Sequence, residues 1–286
     1  MSKIGSRGIR GSRLLVGLVA CLFFFSSCGG ASPALDLGWT PDSPAVYRVS
    51  ASAESGFSGP VSDLEGATEL TAAFRVSPAS DSAADVEVLY LAANVEDGSG
   101  EPVALGMGGL AGSEATVQFA PPGLVSEVEG DERLLEAPVP LISVESVIAH
   151  LFPPLPAGSF RPEDTWTGNA PPLLSNLGDE PVRMRYVMDG VSGETGNIEG
   201  YELAVEPREF EAAPPGGDVS VEGHLNVEFE GEFDAEDGYQ RTELRSRFDS
   251  DFIRLEGGGY ANGNLWTRGE MTVEKLNSAE QFGLDP

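Results

Sequence analysis

From residue 45 onward, apolar and polar residues alternate with a period of two, the pattern of strands that bury one face. Tyr47, Val49 and Ala51 share one face of a first strand. Leu70, Ala72, Phe74 and Val76 share a face of the next, with Glu69, Thr71, Arg75 and Ser77 opposite. Val86, Val88, Tyr90 and Ala92 alternate with Leu89, Leu91 and Ala93, so the third strand reads as apolar on both faces and central in its sheet. Val117 and Phe119 lead through Pro121-Pro122-Gly123 to Leu124 and Val128, a hairpin around a Pro-Gly turn.

The pattern resumes after a break. Val182, Met184, Tyr186 and Met188 alternate with Arg183 and Arg185, and Tyr201, Leu203 and Val205 mark a further strand. The longest run, Val219, Val221, Leu225, Val227, Phe229 and Phe233, ends in the turn Asp234-Ala235-Glu236-Asp237-Gly238, from which Leu244, Ser246 and Phe248 return. Final strands fall around residues 252–255 and 265–276. Strands joined by Gly- and Asp-rich turns, with no helices between them, predict an all-β fold of antiparallel sheets, barrel-like or sandwich.

The break itself predicts one short central helix. Val144, Val147, Ile148 and Leu151 fall at i, i+3, i+4 and i+7, with Ser143 as N-cap and Pro153 as the stop. Two turns do not persist alone, so this helix must lie on a sheet or plug a barrel mouth. With the proline run after it, the segment 141–166 joins two β-rich halves, 45–140 and 167–286, which the sequence leaves open as one body or two domains.

Phe152-Pro153-Pro154-Leu155-Pro156 leading to Asp164-Thr165-Trp166 resembles the "PPLP … GDxW" signature of a family of bacterial secreted proteins and lipoproteins with no established activity. Glu163 stands here where that family carries Gly. The strand containing Tyr186 and the hairpin from Phe233 to Gly238 resemble the family's elements C-terminal to that signature, so the likeness spans about the last 140 residues. The resemblance implies an envelope β-domain and supplies no catalytic residues.

The N-terminus gives an address. Lys3, Arg7, Arg10 and Arg13 precede an apolar run from Leu14 to Phe25, then Ser26-Ser27-Cys28-Gly29. A basic start, a short apolar stretch and small residues before the cut mark a secretory signal over residues 1–27, too short to span a bilayer as a mature helix. The site resembles the lipobox of bacterial lipoproteins, which implies acylation of Cys28, with Phe25 standing where Leu is usual. Leu18-Val19-Ala20-Cys21 fits the lipobox better by residue type but leaves a shorter apolar region, so Cys28 is preferred. Two or three acyl chains hold a protein far more firmly than one. Gly29 after the cysteine implies the outer membrane in a diderm and the outer face of the plasma membrane in a monoderm. Residues 28–44, rich in Gly, Ala, Ser, Pro and Asp, read as a tether.

Charge then narrows the partners. The chain has 17 basic and 46 acidic residues, a formal −29. Loss of the signal leaves thirteen basic residues and a formal −33, which argues against nucleic acid and against anionic headgroups as a docking surface. Membrane contact is thereby assigned to the acyl chains. Cys21 and Cys28 are the only cysteines, so cleavage leaves no disulfide, and the 259 remaining residues must be held by their core.

Candidate chemistry is sparse. His150 falls at the end of the helix, where the dipole favours its cation, and His224 falls on a polar strand face. Neither accompanies a nucleophile elbow. Asp97-x-Ser99-x-Glu101, Asp249-x-Asp251 and the Asp234, Glu236, Asp237 turn offer oxygen ligands without completing a calcium loop. With two distant histidines and no free thiol, no metal or other cofactor is expected, and the chain reads as non-enzymatic. Two functions stay open. One is a carrier for an apolar or lipid ligand, lined by Val144, Val147, Ile148, Leu151 and Trp166 beneath a helix–proline lid; the other is a structural or protein-interaction lipoprotein with a closed core.

Overall fold

The computed structural model describes residues 35–37, 44–58, 63–80, 82–96, 101–120, 124–153, 155, 158–178, 180–203, 207–212, 219–234, 237–255, 260–261 and 263–277. The signal, Cys21, Cys28 and most of the tether lie outside these residues.

The first part of the chain gives β1 (Leu35–Leu37), β2 (Ala45–Ser58), β3 (Asp63–Ser80), β4 (Ala83–Glu96), β5 (Pro102–Leu105), β6 (Glu114–Ala120) and β7 (Leu124–Gly130). Two short helices follow, α1 (Glu132–Leu135) and α2 (Val144–Ala149). The remainder gives β8 (Gly158–Phe160), β9 (Thr165–Ala170), β10 (Val182–Ser192), β11 (Thr195–Glu202), β12 (Arg208–Ala212), β13 (Val219–Asp234), β14 (Gly238–Leu255), β15 (Tyr260–Ala261) and β16 (Asn264–Leu276). β1, inside the segment read as a tether, pairs with β8 in a small separate sheet.

All other strands join one antiparallel sheet in the order β7-β6-β4-β3-β2-β16-β14-β13-β11-β10-β9, with β5, β12 and β15 paired to β4, β13 and β14 off that path. The last strand of the chain, β16, pairs along its whole length with β2, so strands from both sides of the central segment share one sheet. Right-handed twist carries so many strands round toward themselves. The end strands β7 and β9 approach each other without a ladder, leaving a barrel nearly closed at that seam.

The alternation maps onto the wall as expected. Tyr47, Val49 and Ala51, then Leu70, Ala72 and Val76, then Val182, Met184, Tyr186 and Met188, are buried on the inner face. Val221, Leu225, Val227, Phe229 and Phe233 on β13 and Leu244, Ser246 and Phe248 on β14 line it too, and Asp234 pairs with Gly238 to close their hairpin.

Two strand-level readings change, and one about helices. β4 is central but not apolar on both faces: its register to β3 shifts so that Phe74 faces Val88 while Ala73 faces Tyr90. Leu89 is the extra residue of a bulge, and beyond it the inward set switches from Val86 and Val88 to Leu91 and Ala93, with Tyr90 37% exposed. The strand expected around Tyr201, Leu203 and Val205 lies earlier, at β11. Its inner positions are Gly196, Ile198 and Gly200, too small to show as alternation, and Tyr201 points outward. Finally, among the described residues there are two α-helices rather than one: α1 is a single turn capped by the Asp131 side chain, too short to leave a periodic trace.

α2 forms where its pattern predicts, on a shorter span. Ser143 Oγ accepts from the Ser146 amide at 3.2 Å, the expected N-cap, and His150 closes the helix before Pro153. Residues 161–164 build a turn. Asp164 Oδ2 accepts from the Arg161 amide at 2.8 Å, and Glu163 takes a left-handed backbone, φ 73°, as it donates its amide to the Met188 carbonyl at 2.7 Å. Glycine adopts that φ without strain, whereas a side chain there is strained.

Candidate functional site

Of the five residues expected to line a ligand space, four lie on or just after α2 and are buried in the core, and Trp166 lies on β9. Val147 and Ile148 have no exposed surface, and Val144 and Leu151 are 1% and 4% exposed. No water-sized void therefore adjoins the two central side chains. Trp166 is half-buried on β9, tilted against Phe160 at 4.9 Å and stacked on Tyr186 at 5.8 Å, with Phe229 beyond at 5.6 Å.

A second segment, not singled out from sequence, occupies the interior beside the helix. The connection between β9 and β10 carries Leu173, Leu174 and Leu177, all at most 2% exposed. Leu174 is bridged to Ile142 just ahead of α2, and it reaches across to the far wall. There Gly269 faces inward from β16, and a Cβ added to it would lie 2.7 Å from the Leu174 side chain. Glycine at 269 is thus a packing requirement. Phe152, after the helix, meets Phe119 of β6 edge-on at 5.2 Å. Residues 141–153 and 155, with segment 171–177, form an internal plug. The signal that could have revealed it is Pro171-Pro172-Leu173-Leu174, an apolar stretch without strand alternation placed where a polar loop is usual.

His150 ties the two parts of the plug. Its Nε2 lies 2.9 Å from the Pro171 carbonyl oxygen, which can only accept, so Nε2 carries the proton. Burial holds its pKa down at about 4, against a smaller upward pull from the Pro171 hydrogen bond. The cation expected at the helix end is therefore absent: desolvation of a fully enclosed imidazole outweighs the dipole of a six-residue helix. Burial likewise raises the Tyr186 and Tyr239 hydroxyls, and pushes Tyr47 up to about 12 with help from Asp237. These groups are neutral packing elements near pH 7.

The outer face has a different character. Outward positions of β13 read Glu222, His224, Asn226, Glu228, Glu230 and Glu232, and those of β14 read Arg241, Glu243, Arg245, Arg247 and Asp249. A bilayer-spanning barrel presents an apolar band about 25 Å tall, and no such band runs along these strands. Two shallow grooves open here. One, of about 310 Å³, is bordered by Asp189, Glu199, Glu230, Glu232 and Arg241. The other, of about 410 Å³, is bordered by Asn226, Glu228, Arg245, Arg247, Arg268 and Glu270.

Two solved structures are similar over most of the chain. DynF from the dynemicin biosynthesis pathway of Micromonospora chersina is 11% identical, covering 88% of this chain and 89% of that one, with a TM-score of 0.25. An outer membrane channel from Pseudomonas putida F1 is 10% identical, covering 86% of this chain and 98% of that one, with a TM-score of 0.19. Superpositions this loose carry no functional inference. No family model and no curated protein sequence matches the chain.

Among the described residues, Asp234, Asp237 and Asp249 of the oxygen-rich turns are engaged within the protein. Asp249 accepts from Arg247 at 2.6 Å, and Asp234 accepts from the Asp237 amide at 2.9 Å. The Lys275 ammonium donates to the Asp237 carbonyl at 2.6 Å. Among the described residues no three metal-binding side chains converge. Residues 97, 99 and 236 lie outside them.

Proposed function

We propose that this chain is a lipid-anchored, non-enzymatic envelope protein that works through the outer face of a barrel closed by its own plug. The observation that supports this reading is Leu174 against Gly269, where the chain's own loop occupies the interior between the plug and the far wall. The charged outer face is then the surface left to meet a partner, while acyl chains on Cys28 would supply the membrane contact. The resemblance of the central motif to secreted proteins and lipoproteins supports the same address. Crosslinking in the native envelope tests it: a reproducible adduct through β13, β14 or β16 is expected, and recovery of uncrosslinked protein at every concentration would overturn it. Intact mass tests the anchor, which requires a diacylglyceryl adduct on Cys28.

A carrier is the second reading, favoured by the small inner residues Ala51, Ala53, Ala72 and Gly269 and by the ladderless seam between β7 and β9. Expelling three leucines forfeits about 5–9 kcal/mol at 1.5–3 kcal/mol each. A sixteen-carbon acyl chain offers about 12 kcal/mol at roughly 0.8 per methylene, so exchange is energetically feasible. Native mass spectrometry separates the two readings, because only a carrier retains a lipid that survives purification.

A further inference from the structure

The cross-strand register of the outer face places like charges opposite each other at several positions, one of them a pair of arginines. Glu230 of β13 faces Glu243 of β14, and Arg247 of β14 faces Arg268 of β16. Directly opposed like charges destabilise a sheet. The acid pair is neutralised by one side chain, Arg245, which reaches Glu230 at 3.2 Å and Glu243 at 2.8 Å. The arginine pair has no acid bridging it among the described residues. Each member is instead held from the side, Arg247 by Asp249 at 2.6 Å and Arg268 by stacking over the Trp266 ring at 5.1 Å.

That stacking is itself built in. Trp266 lies flat across Gly56 of β2, where a Cβ would come within 2.3 Å of the indole. The two arginines thus stand opposite each other in register on adjacent strands, each held by a neighbour, at the 410 Å³ groove that Asn226, Glu228, Arg245 and Glu270 also border. A guanidinium offers five N–H donors in a planar fork suited to phosphate oxygens, and fixing it beforehand lowers the entropy lost on binding. On a chain with a formal −29, this groove brings three arginines, Arg245, Arg247 and Arg268, together against two glutamates, Glu228 and Glu270.

We propose that Arg247 and Arg268 form a site for a phosphate group, bridging them as Arg245 bridges the two glutamates. The site gives the outer-face reading a ligand class, yet it is tested on the purified protein without a partner, so either can fail alone. Calorimetry on the full chain in detergent at low ionic strength would use inorganic phosphate in one arm and glycerol 3-phosphate in the other. Saturable binding of order millimolar is expected. Tighter binding of the ester would point to a headgroup or phosphorylated glycan as the source, and tighter binding of the free ion to phosphate itself. R268Q and R247Q should each weaken binding at least tenfold, R268K should recover part of the loss, and R75Q, altering the separate Arg75–Glu87 ion pair, should change nothing. Circular dichroism would establish that each variant is folded. Absence of binding in both arms, or unchanged binding in folded R268Q and R247Q, would overturn the proposal.

Discussion

His150 donates its Nε2 proton to the carbonyl of Pro171 inside the barrel, joining the end of α2 to the loop that crosses to the far wall. Because burial holds the imidazole neutral with a pKa of about 4, while an unfolded chain titrates near the ordinary 6.5, the unfolded state binds more protons between those values. Stability from this residue is therefore complete above about pH 6.5 and declines as pH falls toward 4, by up to about 3 kcal/mol. His150→Gln keeps a donor and removes the titration. Urea melts at pH 7 and pH 5 should show a smaller pH-dependent loss in this variant than in the parent, and equal losses would contradict the neutral, buried imidazole.

The plug makes a second prediction. Gly269→Ala forces a methyl against Leu174 and should cost about 1–3 kcal/mol, while Leu174→Ala should cost about 2–5 kcal/mol by leaving a cavity. The two together should cost clearly less than their sum, because the truncated side chain makes room for the methyl. Additive losses in denaturant titrations would mean that the loop does not rest on β16.

At residue 163 the strained backbone can be relieved. Glu163→Gly should stabilise the protein by about 1 kcal/mol, since a side chain in the left-handed region costs about that much. A rise in melting temperature is the readout. Leu141, also left-handed at φ 65°, is the less suitable target, because its large apolar side chain is partly buried against the core.

Diffuse self-repulsion among 46 acids against 17 bases predicts a salt response without ion specificity. Raising monovalent salt should stabilise the fold as the Debye length falls from about 10 Å at 0.1 M to about 3 Å at 1 M. NaCl and KCl should act alike. A sharp gain from micromolar calcium instead would reveal a cation site that the described residues do not assemble.

The sequence by itself determined the antiparallel all-β class, the inward residues of β2, β3, β10, β13 and β14, the 234–238 hairpin and the capped helix at Ser143. Each is decided within a few residues, by side-chain alternation, turn chemistry or a local hydrogen bond. Tertiary structure alone decided the rest. Pairing of β2 with β16 joins residues more than two hundred positions apart, and the bulge at Leu89 turned two apparent faces of β4 into one. Leu174 meeting Gly269 and Arg247 meeting Arg268 depend on strand register and closure, as does the neutrality of His150. A local pattern tells a side chain to be buried or solvated, but which residue it meets there is set by chain segments distant in sequence.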